Sequence, residues 1–305
     1  MTTVIRVIET VLPVVLALML GVLCRSKQIV SRDGVDTLKR IAVNIALPAV
    51  LLNAFVSAEY TRETLAMPLS IFALNVLGLV LGWLLGKLLR LPGKLPPFYC
   101  GGAEAGMLGY ALFTLLYPNV SSAEFAILDL GQVVFVFTLY KALLSGKNGL
   151  KGVLKDMLSS PVIWALVAGI TISATGLYDA MERWEVRGIL DACTNFIAAP
   201  ASMLILLSVG YDLVLKEIRW KETFRFIVLR FASHGILMVL MLLINRYLLG
   251  GIAHEGSIIL LFILPTPYVL SVFVNDPEER TRVSSSISAI TLVSLILFAV
   301  MAALI

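Results

Sequence analysis

Glu104 stands among glycines, in a stretch that reads Cys100-Gly-Gly-Ala-Glu-Ala-Gly-Met-Leu-Gly-Tyr110. Gly101, Gly102, Gly106 and Gly109 surround the one carboxylate in an otherwise apolar segment. A second irregular stretch, Leu264-Pro265-Thr266-Pro267-Tyr268, lies near the other end of the chain. Proline removes an amide donor and blocks the preceding turn, and glycine tolerates non-helical backbone, so both stretches are expected to unwind. Each half-helix that restarts after such a break aims free amides and a positive dipole end at the gap, a setting for a carboxylate ligand. Gly102, Ala103, Glu104 and Gly106 with Pro265, Thr266 and Pro267 are therefore the expected ligand contacts, and Gly101, Gly109, Pro265 and Pro267 shape the breaks.

A carboxylate buried at membrane depth is expensive and marks a proton carrier or a cation ligand, which gives Glu104 a coupling role. Asp129, with Gln132 three residues on and so on the same helical face, is the second coupling candidate. Asn44, Asn53, Asn75 and Asn195 are uncharged polar groups in apolar surroundings, available for interhelical hydrogen bonds or ligand contact. Asn44 and Asn195, close to Pro48 and Pro200, are the ones expected to touch the ligand. Arg230 and His234 share a helical face. Snorkelling of the arginine to the interface is expected there, with an anion or a pairing to Asp129 or Glu104 as the alternative.

The elements that carry these groups follow from composition. Of 305 residues, 59% are hydrophobic and 14% charged, with a mean hydropathy of +0.95. Soluble domains carry about 25% charged residues, so a water-soluble enzyme is excluded and an all-α integral membrane protein is expected. Ten apolar runs, each about long enough to cross a bilayer, lie near 4–24, 38–57, 65–89, 98–117, 123–144, 161–178, 188–211, 222–249, 256–274 and 283–305. The loops after the odd-numbered runs hold 18 lysines and arginines against 5 on the other face. By the positive-inside rule this puts the basic loops in the cytoplasm and both termini outside, in a multi-pass plasma (cell inner) membrane protein. Val11 to Leu23 lacks a small-residue cleavage site before Cys24 and is expected to stay as a helix.

Cys24, Cys100 and Cys193 are odd in number and far apart, which points neither to disulfides nor to a zinc site. No HExxH, GxSxG or nucleotide-binding loop occurs, and His234 and His254 are the only histidines. The expectation is a protein that is not an enzyme, has no cofactor or metal, and draws on a proton or sodium gradient. Its expected partners are the lipid bilayer and a small organic anion, not nucleic acid.

Asn44-Ile-Ala-Leu-Pro48 and Asn195-Phe-Ile-Ala-Ala-Pro200 place a proline in a similar context 152 residues apart, half the chain length. The two broken stretches fall fourth in each set of five runs. Because five is odd, the two halves, 1–157 and 158–305, must enter the membrane oppositely, as in secondary transporters with inverted repeats and a site where discontinuous helices meet.

The run from Asn44 through Leu47-Pro48 to Leu52, the glycine-rich fourth segment, the proline-centred ninth, and the stretch from Asn275-Asp276 through Ser284-Ser285-Ser286 together resemble the auxin efflux carrier family. Its plant members are the PIN-formed carriers, and its bacterial members include malate and malonate permeases. The resemblance spans essentially the whole chain. It implies a fold like that of sodium/proton antiporters and bile acid symporters, with segments 4 and 9 crossing as broken helices. It also implies segments 1, 2, 6 and 7 as a scaffold, through which a homodimer could form, and segments 3–5 and 8–10 as a transport domain that shifts like an elevator. Bacterial relatives usually carry Asn-x-Gly-x-x-Gly-x-Pro in segment 4. Here Glu104 takes the Asn place and Ala111 the Pro place, while Gly106 and Gly109 are kept. Either Glu104 is protonated when an organic anion binds, or the substrate is neutral or cationic. A sodium-coupled or antiporting carrier, and a membrane sensor that binds without transporting, are the alternatives.

Overall fold

The computed structural model describes residues 2–58, 62–91, 93–145, 152, 155, 158–213, 220–270 and 277–304. Among them every regular element is helical, and the all-helical expectation is met. In chain order these are α1 (Thr2–Ser26), α2 (Arg32–Ile41), α3 (Leu47–Val56), α4 (Arg62–Leu88), α5 (Pro96–Cys100), α6 (Tyr110–Leu116), α7 (Ser122–Phe135) and α8 (Lys141–Ser145). There follow α9 (Pro161–Ala174), α10 (Leu177–Arg183), α11 (Arg187–Ala198), α12 (Ala201–Asp212), α13 (Trp220–Tyr247), α14 (Glu255–Ile263) and α15 (Pro277–Leu304). Wider π turns at Ala42–Ala46 and Val136–Tyr140 join α2 to α3 and α7 to α8, and a third, Ala105–Gly109, leads into α6.

The sequence sets many of these ends. Ser31 caps α2 by accepting the Gly34 amide at 3.1 Å, and Ser121 caps α7 by accepting the Ala123 amide at 3.2 Å. Proline opens α5 and α9, where its missing amide hydrogen costs nothing.

Among the described residues six stretches are long and apolar enough to cross a membrane: Arg32–Val56, Leu65–Leu88, Ser122–Leu144, Arg187–Asp212, Trp220–Tyr247 and Arg282–Leu304. The pair α9 and α10, bent by 65°, makes a seventh if taken as one span, and Val11–Ser26 is a shorter apolar helix. The fourth and ninth apolar runs are not continuous helices. Each is cut into short helical pieces by the glycine and proline stretches, as their composition leads one to expect. Asn275 and Asp276, with the loop residues Lys147, Lys151, Lys216 and Arg219, lie outside the described residues, and the expected boundary at 157/158 adjoins others that do.

α1 packs along α12 at unusually short range. A Cβ on Gly21 would stand 2.1 Å from the Leu207 carbonyl oxygen, and one on Gly210 would stand 2.1 Å from that of Leu18. Helices in lipid associate by close packing of small residues rather than by hydrophobic burial, and this pair joins the two halves of the chain. At one end of the same contact Asp212 pairs with Arg32 at 2.7 Å and Lys39 at 2.5 Å, and Arg25 donates to the Tyr211 carbonyl at 2.8 Å. The outward faces stay apolar, with Leu69, Ile45, Met19 and Val239 exposed. Such faces suit lipid.

Candidate functional site

The two interruptions lie against each other. The Glu104 amide donates to the Pro265 carbonyl at 2.9 Å, which ties one break to the other. Gly102 adopts a left-handed φ of +79°, and a Cβ there would press on Pro267 Cγ at 3.1 Å and Val136 Cγ2 at 3.2 Å. Only glycine meets both demands without strain. Gly101 is packed against Leu79, and Gly109 faces Leu264 and Phe125, so the expected shaping residues are also contact residues.

Side chains from long helices hold the unwound backbone. Asn75 of α4 accepts the Gly102 amide at 2.9 Å. Gln132 of α7 accepts the Ala103 amide at 2.8 Å and donates back to the Ala103 carbonyl, so it clamps that peptide on both sides. Thr266, fully buried, donates to the Tyr99 carbonyl at 3.1 Å.

Arg230 of α13 does not snorkel. Its side chain is fully buried, and its guanidinium spans both breaks. Nη1 donates to the carbonyls of Tyr99 (2.9 Å) and Gly102 (2.6 Å), and Nη2 to those of Leu264 (2.7 Å) and Pro265 (3.1 Å). These carbonyls lie at the ends of α5 and α14, where a helix leaves its last acceptors unpaired and its dipole is negative. A planar fork with several donors serves four acceptors at once. His234, one turn on, has Nε2 3.2 Å from the Cys100 carbonyl.

Glu104 answers at the opposite pole. Its Oε2 accepts the Tyr268 amide at 2.6 Å, at the restart of backbone turning after the second break. The amide exposed by the second break is therefore occupied by a carboxylate of the chain itself.

Beside this contact lies a cavity of about 240 Å³, lined by Glu104, Asp129, Gln132, Lys141 and Tyr268 with apolar side chains of α3 and α7. Ala103, Gly106 and Pro267 also line it. Asp129 is 2% exposed and stands beside the Tyr110 hydroxyl. The expected residues Gly102, Ala103, Glu104, Gly106, Asp129, Pro265, Thr266 and Pro267 are thus gathered in one place. Asn44 is not among them: it sits on the π turn Ala42–Ala46 and is exposed. Asn195 lines a different cavity, where its Oδ1 accepts from Asn53 at 2.8 Å. Among the described residues no group of three or more His, Cys, Asp or Glu side chains could hold a metal ion.

The geometry of paired breaks stands beside two sequence comparisons. Residues 6–149 match the model of a family described as membrane transport protein. Over that stretch the chain is similar to this family. The match includes Asn75, the first break, Glu104, Asp129 and Gln132, and it bears out the resemblance to the auxin efflux carriers. A protein of Methanothermobacter thermautotrophicus described as an uncharacterized transporter is 23% identical over 253 residues, covering 81% of this chain and 78% of its own length. The transport family and the run of apolar helices make this a multi-pass membrane protein of transporter type.

Two participants escape a reading of the sequence by residue type alone. Tyr268 acts through its backbone amide, which no side-chain pattern reveals. Lys141, which counts toward the basic loop after the fifth run, instead starts α8 and lines the cavity. A helical projection from Asp129 and Gln132 would not find it, because the π turn Val136–Tyr140 changes the register between them.

Proposed function

We propose that the chain is a secondary carrier of small carboxylates in which protonation of Glu104 vacates the seat that the substrate carboxylate then takes. The observation that carries this is the 2.6 Å bond from the Tyr268 amide to Glu104 Oε2. An ionised carboxylate holds that amide by a charge-assisted bond. Once neutral, Glu104 accepts it more weakly, and a substrate carboxylate can replace it.

Charge supports the same exchange. Glu104, Asp129 and Lys141 line the cavity, so with all three ionised the wall is net negative and a further anion is repelled. One proton taken up with each anion keeps the balance. Sodium uptake is the second reading, favoured by the sharing of one cavity by Glu104 and Asp129.

The larger architecture belongs to the same proposal: ten crossings in two inverted halves, 1–157 and 158–305, with segments 1, 2, 6 and 7 as scaffold and 3–5 and 8–10 moving as an elevator. Contacts between chain ends support the alternation. Asp212 pairs with Arg32 and Lys39, and Glu222 with Arg282 at 3.6 Å, all at ends assigned to the basic face. Ser173 donates to the Ala58 carbonyl at 2.8 Å, both at ends assigned to the other. A plasma-membrane location, outside termini, and a homodimer through the scaffold complete the reading.

The test is uptake of labelled malonate into proteoliposomes at several external pH values, with and without sodium, for wild type and Glu104→Gln. Wild-type uptake is expected to fall as pH rises, approaching about tenfold per unit for one coupled proton, and Glu104→Gln is expected to be flat. Wild-type uptake that ignores pH but requires sodium would replace the proton by the cation. If no member of a mono- and dicarboxylate panel is taken up, the carboxylate reading fails.

A further inference from the structure

A second cavity lies away from Glu104. It has a volume of about 400 Å³ and is walled by α3, α6, α11 and the starts of α7 and α12. Leu47, 4% exposed, lines both this cleft and the Glu104 cavity and stands between them.

Among the described residues its lining carries no charged side chain. The helix ends around it also balance. α7 begins at it, capped by Ser121, and α12 begins at it after Pro200, while α3 and α11 end at it, at Ser57 and Ala199. Two positive dipole ends thus face two negative ones, so neither an anion nor a cation is favoured.

What the cleft offers is hydrogen bonding of both kinds. The Asn53 amide donates to Asn195 Oδ1 at 2.8 Å. That single bond leaves Asn53 Oδ1 as an acceptor and Asn195 Nδ2 as a donor, with no further partner among the described residues. Thr114 and Ser57 donate within their own helices, to the Tyr110 carbonyl at 3.0 Å and the Asn53 carbonyl at 2.9 Å, and so present lone pairs. Ser202 adds a hydroxyl that can do either.

We propose that this cleft is a second binding site, for a small uncharged molecule that both donates and accepts hydrogen bonds, of the primary-amide or polyol kind. The Asn53–Asn195 pair is its recognition element: one complementary amide edge pairs with the open acceptor and donor together. The site shares Leu47 with the Glu104 cavity but uses none of the groups of the carboxylate exchange.

Malonamide and malonate, alike in shape and different in charge, separate the two sites. Titration calorimetry on the full chain in nanodiscs is expected to show saturable malonamide binding that survives Glu104→Gln. The same binding should weaken by about tenfold in Asn195→Leu, the loss of one hydrogen bond. Ala198→Leu, which fills the cleft and leaves both amides in place, is expected to weaken it as much. Unchanged thermal unfolding of the variants would show that the fold is kept. Absence of saturable binding of malonamide and of glycerol, or malonamide binding indifferent to both Asn195→Leu and Ala198→Leu, would overturn the proposal. Malonate transport is scored separately, so either site can fail alone.

Discussion

Arg230 shows how much a single residue can hold at membrane depth. Four carbonyls from two separate breaks depend on one guanidinium. Water is not there to replace it. Arg230→Met would orphan all four acceptors at a cost on the order of 3–5 kcal/mol, the usual penalty for removing one partner from a buried charged network. Arg230→Lys keeps the charge but offers three donors from one point instead of a planar fork, so it should recover only part of the loss. Thermal unfolding in detergent should rank wild type above Lys above Met; a Met variant as stable as wild type would show that the breaks hold themselves. The sequence marks Arg230 as a charge in an apolar helix, and there legibility ends. Side-chain charge suggests carboxylate partners, whereas the actual partners are main-chain carbonyls, set free only because glycines and prolines 128 and 35 residues away unwind the helices.

At the scale of elements, the two broken segments were readable because glycine and proline have backbone consequences that hold in any context. The left-handed φ at Gly102 is the plainest case. Gly102→Ala should cost about 1–2 kcal/mol for the left-handed backbone alone, and more if Pro267 or Val136 cannot yield. Because Gly102 lies between the Asn75 and Arg230 contacts, the loss should appear in transport rate as well as in unfolding temperature. An unfolding temperature and malonate uptake both equal to wild type would place the strain elsewhere. The π turns were not readable. Ala42–Ala46 and Val136–Tyr140 contain no glycine or proline, and their wider winding shifts every later side chain around the axis. This separates the expected place of Asn44 from its exposed position, and it brings Lys141 to a cavity that straight helical spacing does not predict.

The whole molecule adds a constraint that no single element carries, which is sidedness. The hydropathy runs and basic loops argue for ten crossings, although among the described residues six or seven stretches qualify on length and apolarity. The difference falls where the chain is broken or short: α1, α5 with α6, and α14. A broken segment can still cross if its unwound centre is buried in protein, and here that centre is held by Asn75, Gln132 and Arg230. The odd count between two marked points decides the matter. From Thr37 to Gly188 the proposal has five crossings, so a cysteine at one should be reachable only from the cytoplasm and at the other only from outside. Both positions are exposed, and beyond the local helix backbone no described atom lies within 4 Å of where a Gly188 Cβ would stand. In a variant with Cys24, Cys100 and Cys193 replaced, an impermeant maleimide added to intact cells should label Gly188→Cys and leave Thr37→Cys unlabelled until the membrane is opened. Labelling of both from outside would make the count between them even. The fourth segment would then be a re-entrant loop rather than a crossing, and the two halves would no longer be inverted copies.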